Sequence, residues 1–147
     1  MARNKNAKRQ HFVAPFSAEV PAMTEFMPLA KYITEITDAS EDMTDEFADY
    51  AGDGTVMVDV VGIQEAWEAT GTFDATDEAQ AFIAGLKRET GNDRKLWHLI
   101  VDSNGTEEIF GVATALNVVA GSGAAEEHEE FSCTLQFDQR PAVRPHS

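Results

Sequence analysis

The side chains best suited to catalysis or metal binding in this chain are its four histidines and its single cysteine. His11, His98, His128 and His146 are scattered, and no two have the HxxxH or HExxH spacing that brings both imidazoles to one metal ion. Cys133 stands in the apolar phase of a predicted strand, which is typical of a buried, unreactive thiol. The sequence therefore predicts surface or strand histidines, and we expect no enzyme activity.

Carboxylates are abundant, with 26 Asp and Glu residues, but abundance does not single out an acid/base pair. Residues 49–54 (DYAGDG) and 102–105 (DSNG) faintly resemble calcium-binding loops. Neither has the full alternation of oxygen ligands with a closing Glu, so an acidic loop and a β-turn are favoured. Trp67 and Trp97 fall on predicted strands and are interpreted as core rather than as a ligand cage. The sequence thus predicts no metal and no cofactor.

The densest run of acid is residues 38–54, DASEDMTDEFADYAGDG, which holds seven carboxylates and no Lys or Arg. It could be a metal site, a disordered spacer or a segment ordered only against a partner, and its acids lack ligand spacing. Met43, Phe47 and Tyr50 would share one face of a short helix, or act as separate anchors in an extended hairpin. We expect an assembly loop, beginning at Asp38, that is mobile in a free monomer and fixed by a neighbour.

The charge of the chain is strongly negative and unevenly distributed. A net charge of -15 disfavours the usual kind of nucleic-acid binder, which depends on Lys and Arg. Residues 32–86 hold fourteen acids and no base, whereas the first ten residues hold no acid and the bases Arg3, Lys5, Lys8 and Arg9. Because these two surfaces could complement each other between copies of the chain, we predict that both contribute to a subunit interface.

The length and apolar content predict one domain over residues 1–147, because a chain of 147 residues with 43% hydrophobic residues can bury a core. The apolar run FVAPF is too short for a signal peptide or a membrane span. One cysteine cannot form an intrachain disulfide. We expect no membrane insertion, and synthesis and assembly in a reducing cytoplasm.

Strand patterns are clearest in the C-terminal half. Apolar and polar residues alternate in FSCTLQFD (residues 131–138), which is the two-residue period of a strand with one buried face. Residues 95–101 and 108–119 flank the turn sequence DSNG, which indicates a hairpin. Further strand candidates are residues 31–37, 55–61 and 64–73. The short link Gly62-Ile63 suggests a second hairpin, between the last two.

One helix is predicted, over residues 76–90. Its apolar stripe consists of Ala79, Phe82, Ile83 and Leu86. Thr76 could cap the start of the helix, and Gly91 could close its end. Strands around one helix predict a mainly β fold, with two packed antiparallel sheets forming a sandwich or barrel and the helix on its flank.

Several segments carry, in order, a resemblance to a known family. They are AGDGTVMVDVVG, TGTFDATDEAQAFIAGL, TGNDRKLWHLIVDSNG and GVATALNVVAGSGAAEEHEEFSCTLQFDQRP. In order and spacing, over roughly the last two-thirds of the chain, they resemble the major tail tube proteins of long-tailed, non-contractile bacteriophages. Residues 1–20 match only in general character, as an N-terminal arm.

The resemblance implies two packed antiparallel sheets with one flanking helix. It also implies homomeric rings, six-fold in the family, stacked into a hollow tube in the virion tail through which the genome leaves. The partners would be other copies of the chain, with other tail proteins at the tube ends. In the family the long loop between the early strands, here residues 38–54, reaches onto neighbouring subunits, and the terminal arms can do likewise.

A tube must let duplex DNA pass without binding it, and a wall of carboxylates suits that role because it repels phosphate. Strand alternation sends one set of side chains away from the core. We therefore predict lumen-facing carboxylates among Glu35, Asp59, Glu65 and Glu68. The alternative function is a small acidic monomeric β-domain that binds calcium or a protein partner.

Overall fold

The computed structural model describes residues 5–47 and 57–145. Its strands are β1 Gln10–Pro15, β2 Met27–Pro28, β3 Ile33–Asp38, β4 Glu41–Phe47, β5 Met57–Gln64, β6 Ala66–Thr72, β7 Lys95–Val101, β8 Glu107–Ala120, β9 Glu130–Phe137 and β10 Ala142–Pro145. Its α-helix, α1, is Glu78–Gly85, and no helix in these ranges is long and apolar enough to cross a membrane. The fold is mainly β with one flanking helix, as predicted.

Eight of the strands form one curled antiparallel sheet. Its order is β2-β1-β7-β8-β9-β6-β3, and β10 pairs with β8. The predicted C-terminal hairpin is confirmed, since β7 and β8 flank a turn in which the Gly105 amide bonds the Asp102 carbonyl. Strand β9 is confirmed as well, and it joins β8 to β6.

One sequence prediction about the early strands is wrong. Gly62 and Ile63 do not form a turn between β5 and β6 but lie inside β5, which pairs with β4. Strand β6 instead lies between β3 and β9. Residues 10–15, within the range assigned to an N-terminal arm, form β1 and pair with β7 along their whole length. The β1–β7 and β6–β9 pairings join segments far apart in sequence, which local patterns do not reveal.

The main hydrophobic core lies on the concave side of the sheet. The alternation predicted for β9 is confirmed, because Phe131, Cys133, Leu135 and Phe137 are buried while the residues between them are partly exposed. Helix α1 covers this core with the predicted stripe, of which Ala79, Ile83 and Leu86 are buried and Phe82 is partly buried.

A second apolar cluster lies on the opposite face of the sheet. Trp97, Leu99 and Val101 point to this side of β7, while Leu96 and Ile100 point into the main core. The chain before β2 covers the cluster, since the Trp97 indole N–H donates to the Ser17 carbonyl at 3.0 Å and Phe26 is buried there. Both faces of β7 are therefore shielded from water.

Helix α1 is shorter than predicted. Asp77, rather than Thr76, is its N-cap and accepts a hydrogen bond from the Gln80 amide, while Thr76 donates to Asp74. Gly91, with a φ of 62°, begins a separate 3-10 turn instead of closing the helix. The helix ends at Gly85, and the chain then turns towards Arg94. The Arg94 guanidinium donates to the backbone carbonyls of Lys87 and Glu89, which follow the helix.

Gln80 joins three segments to one another. Its side-chain NH2 donates to the Lys31 carbonyl at 2.9 Å and to the Thr72 carbonyl at 3.1 Å, and its Oε1 accepts from the Asp74 amide at 2.7 Å. The side chain is fully buried. This one amide therefore fixes the helix against the entrance to β3 and the exit from β6.

Gly71 in β6 lies against the backbone of the next strand. Tyr32 has a φ of 61°, and a Cβ at position 71 would lie 2.1 Å from the Tyr32 carbonyl oxygen. No side chain fits there without moving β3, which is the edge of the main sheet. The absent side chain at Gly71 thus allows β3 to approach β6.

Gly71→Ala should lower the free energy of unfolding of the subunit by about 1–3 kcal/mol, because backbone must shift to admit the methyl group. The matched control is Gly85→Ala in α1, where a Cβ would meet no atom within 4 Å. That change should be neutral or raise stability by about 0.5 kcal/mol. Urea unfolding of both variants measures the difference, and equal midpoints would contradict the close approach.

Candidate assembly surface

Strands β4 and β5 form a ribbon that stands apart from the main sheet. They pair antiparallel with each other, from Glu41 opposite Gln64 to Phe47 opposite Met57, and have few contacts with any other element. At its base the ribbon is attached to β6 by hydrogen bonds between Ala39 or Ser40 and Ala66. They include those from the Ala39 amide to the Ala66 carbonyl and from the Ala66 amide to Ser40 Oγ. A two-stranded ribbon of this kind is only marginally stable alone in water.

The ribbon exposes large apolar side chains. Val58, Val60, Val61 and Ile63 are 57%, 57%, 67% and 66% exposed, and Met43 is 51% exposed. Residues 58, 60 and 63 share one face of the ribbon, since they pair with alternate residues of β4 across the bulge at Val61. Contiguous exposed apolar surface on a soluble protein is typical of an interaction site.

The ribbon also carries uncompensated negative charge. Asp45 lies directly opposite Asp59 in the ladder, and Glu41 and Asp42 continue the acidic run. Like charges at directly opposite positions destabilise a strand pair. No ion pair joins any of these acids to a described residue. Among the described residues, the ribbon therefore has neither a covering layer nor counter-charges.

The predicted interface residues of the 38–54 segment occupy different positions. Asp38 ends β3 and accepts a hydrogen bond from the Ser40 amide. Met43 is exposed on the ribbon, and Phe47 ends β4. Residues 41–47 are extended, so the short-helix alternative is wrong for them and the hairpin alternative is correct. The Phe47 side chain and all of Tyr50 lie outside the described part of the chain.

The predicted basic residues of the N-terminal segment also differ from one another. Lys5 and Lys8 are exposed at a short 3-10 turn, Asn6–Lys8. Arg9 is partly buried and bonds within its own chain, to Asn6, His11 and the Ile36 carbonyl. Arg3 lies outside the described residues. The interface role of all four residues stays a prediction.

Two of the four predicted lumen carboxylates share a surface. On the convex face of β3 and β6, Glu35 pairs with Thr70 and Glu68 pairs with Thr37. This face continues into β9 through Ser132 and Thr134, and we call the three-strand surface the polar face. The polar face holds carboxylates and hydroxyls, and its two acids are exposed.

The other two predicted lumen carboxylates lie elsewhere. Glu65 precedes β6 and accepts a hydrogen bond from the Trp67 indole N–H at 3.2 Å, on the core side of the strand. Asp59 is on the ribbon, opposite Asp45. The structure thus brings together Glu35 and Glu68 and separates Glu65 and Asp59 from them.

Cys133 and Asp102, two of the groups considered for chemistry, are held in structural surroundings. Burial raises the pKa of the Cys133 thiol to about 12, so the thiol is protonated and unreactive at neutral pH. Asp102 accepts hydrogen bonds from the Thr106 amide and hydroxyl, which closes the β7–β8 turn. Among the described residues, no three His, Cys, Asp or Glu side chains lie close enough to hold a metal ion.

The exposure of the apolar residues of β5 is not predicted by the sequence. The pattern MVDVV in β5 predicts a strand, but it does not by itself assign the valines to an interface. The feature of the sequence that could have predicted this exposure is the run of acids in the preceding segment. Acidic side chains on a paired strand cannot cover the apolar side chains of β5. Exposure of the valines follows from the pairing of β5 with an acidic strand rather than from their own spacing.

Solved structures match the chain over nearly its whole length, whereas no protein-family model and no curated protein sequence matches it. A chain from the tail of an empty gene transfer agent (GTA) particle, refined with C6 symmetry, has a TM-score of 0.68 at 9% identity and covers 99% of this chain and 100% of its own. The chain thus shares its fold with a chain of that tail. A chain from the virion of the native GTA particle has a TM-score of 0.63 at 10% identity, with the same coverage.

The same fold is also found in a contractile machine. A chain from the sheath-tube complex of an extracellular contractile injection system, PVC, in its extended state has a TM-score of 0.53 at 14% identity. The match covers 92% of this chain and 88% of the other. The likeness therefore does not distinguish contractile from non-contractile tails.

Replacing Val58 and Val60 together with Ser should change the free energy of unfolding of the isolated subunit by less than about 0.5 kcal/mol, because both side chains are already largely in water. Leu135→Ala, in the main core, should cost about 2–5 kcal/mol in the same assay. Chemical denaturation followed by circular dichroism measures both. A large loss in the double variant would mean that the ribbon packs on its own subunit.

Proposed function

We propose that this chain is the major subunit of a phage tail tube, and that it self-assembles into stacked hexameric rings which form a negatively charged conduit for genome delivery. The observation that carries the proposal is the exposed β4–β5 ribbon on a fold shared with chains of tail particles. In this role the protein is structural rather than catalytic. Its partners are other copies of itself and, at the tube ends, other tail proteins.

The exposed ribbon supports self-association because, within the described residues, it has few contacts with the rest of its own subunit beyond the hydrogen bonds at its base. Burying the side chains of Val58, Val60 and Ile63 against a neighbour would remove apolar surface from water, which is favourable by roughly 25 cal/mol per Å². A neighbour could also supply cations to the acids of β4. The exposed Lys5 and Lys8 are of the required sign. Assembly would thus stabilise a segment that the isolated subunit leaves marginal.

The polar face supports the conduit. Glu35 and Glu68 repel DNA phosphates, and the threonines and serine between them offer no fixed positive charge to which phosphate could bind by releasing counterions. DNA would therefore slide along such a surface without specific binding. In a ring, the polar face would line the lumen, while the helix on the opposite side of the main core would lie outward.

The assembly role is tested by the Val58→Ser, Val60→Ser double variant. The wild-type protein should form rings or tubes visible by negative-stain electron microscopy, and the double variant should stay a folded monomer in light scattering. Val143→Ser on β10 is the matched control, because Val143 is 60% exposed but lies off the ribbon, and it should assemble normally. Tubes from the double variant would contradict the role of the ribbon, and a monomeric wild-type protein would favour the alternative of an acidic binding domain.

The lumen assignment is tested by charge reversal. Tubes of the Glu35→Lys, Glu68→Lys variant should retain short duplex DNA and protect it from nuclease at low salt, and should release it as salt rises. The control, Glu126→Lys with Glu127→Lys in an exposed loop, makes the same change in net charge. Equal protection by the two variants, or by neither, would show that Glu35 and Glu68 do not face the lumen.

A further inference from the structure

The curled main sheet leaves a seam between β1 and β3, which do not pair with each other. A groove of about 890 Å³ lies along this seam, between the strands and the 3-10 turn before β1. Arg9 spans the groove, because its Nη2 donates to the Ile36 carbonyl at 3.0 Å and its guanidinium carbon lies 5.0 Å from the centre of the Trp67 ring. Arg9 thereby connects β1 to the strands on the other side of the seam.

Arg9 also begins a chain of hydrogen bonds into the core. Its Nε donates to His11 Nε2 at 2.7 Å, and His11 Nδ1 lies 3.2 Å from His98 Nε2. A guanidinium can only donate, so His11 Nε2 must hold a lone pair and the ring proton of His11 must be on Nδ1. His11 then donates to His98 Nε2, which places the proton of His98 on its own Nδ1. The direction of every bond in the chain is thus set by Arg9.

The two imidazoles are held neutral by their surroundings. His98 is fully buried, and its Nδ1 has no partner among the described residues. Burial, and secondly the charge of Arg9, lower the pKa of His11 to about 4, and burial, with His11 second, lowers the pKa of His98 well below its usual value. Both rings are therefore uncharged at neutral pH.

Among the described residues, no carboxylate forms an ion pair with His11 or Arg9. The residue just before β1 is the cation Arg9, and β7 supplies His98. Strand β6 supplies Trp67, whose ring meets His11 edge-on and whose indole N–H donates to the Glu65 carboxylate. Strand β9 supplies the uncharged Phe137 ring, which stacks on His98. On β3, the contact of Arg9 is a backbone carbonyl.

We propose that Arg9, His11 and His98 form an acid-sensitive lock on the seam between β1 and β3. A second proton on His11 must go onto Nε2, which is the atom that accepts the bond from Arg9. Protonation therefore removes the acceptor and places two cations side by side, so Arg9 is expelled from the groove. Expulsion breaks the contacts of Arg9 with Ile36 and Trp67, and the seam opens.

The sign of the pH dependence follows from the pKa of His11. The pKa is about 4 in the folded chain and 6.5 when unperturbed, so the unfolded state binds more protons between these values. The stabilisation by the lock is complete above pH 6.5 and decreases as the pH falls. The folded subunit itself takes up the proton near pH 4, and the seam opens there.

The tautomers are tested by NMR of the wild-type protein with 15N-labelled histidine at neutral pH. The expected spectrum shows His11 with an unprotonated Nε2 and a protonated Nδ1. A proton on His11 Nε2 would overturn the lock, because Arg9 could then not donate to that atom. This measurement needs no variant and so does not depend on the folding of a mutant.

The opening of the seam is tested by hydrogen exchange between pH 7 and pH 3.5, normalised to the intrinsic amide rates. In the wild type, protection should fall in β1 and β3 near pH 4 while β9 stays protected. His11→Gln keeps an acceptor for Arg9 but cannot titrate, so its loss of protection should move to lower pH by at least one unit. His128→Gln, which alters an exposed histidine, should behave as the wild type. An unchanged midpoint in His11→Gln would overturn the proposal, whether or not the protein forms tubes.

Discussion

The exclusion of water from both faces of β7 is the constraint on which the remaining architecture depends. Leu96 and Ile100 need one apolar layer, and Trp97, Leu99 and Val101 need another. The first layer is made by β6, β9 and α1, which close over the concave side of the sheet. The second layer is formed by the chain between β1 and β2, which crosses the opposite face of the sheet. The N-terminal segment therefore belongs to the core of the domain.

Local sequence patterns predicted the elements whose partners are near in sequence. The alternation in β9, the turn at residues 102–105 and the stripe on α1 each depend on residues a few positions apart, and all three are present. The resemblance to tail tube proteins predicted the fold that the solved structures share. These features could be read because short-range spacing determines which side chains face the core.

The pairing of strands could not be read in the same way, whether the partner is near or distant in sequence. Nothing in QHFVAP indicates that β1 pairs with β7, and nothing in MVDVVGIQ indicates that β5 pairs with β4 rather than β6. His11 and His98 are 87 positions apart, so their contact leaves no spacing signal. The sequence predicted the acidic segment of the candidate assembly surface. The apolar side chains of this surface lie on β5, which the sequence indicated only as a separate strand.

Gln80 shows where the chain tolerates little chemical change. Its amide donates at one atom and accepts at the other, and it meets two carbonyls and an N–H in a site without water access. A side chain of similar size with only acceptors, or with no polar atom, would leave a strand end unpaired. The acids of the ribbon can be exchanged for one another at small cost to the fold. In a comparison of remote relatives, a glutamine at this position would therefore be a better sign of the shared fold than the seven carboxylates of residues 38–54.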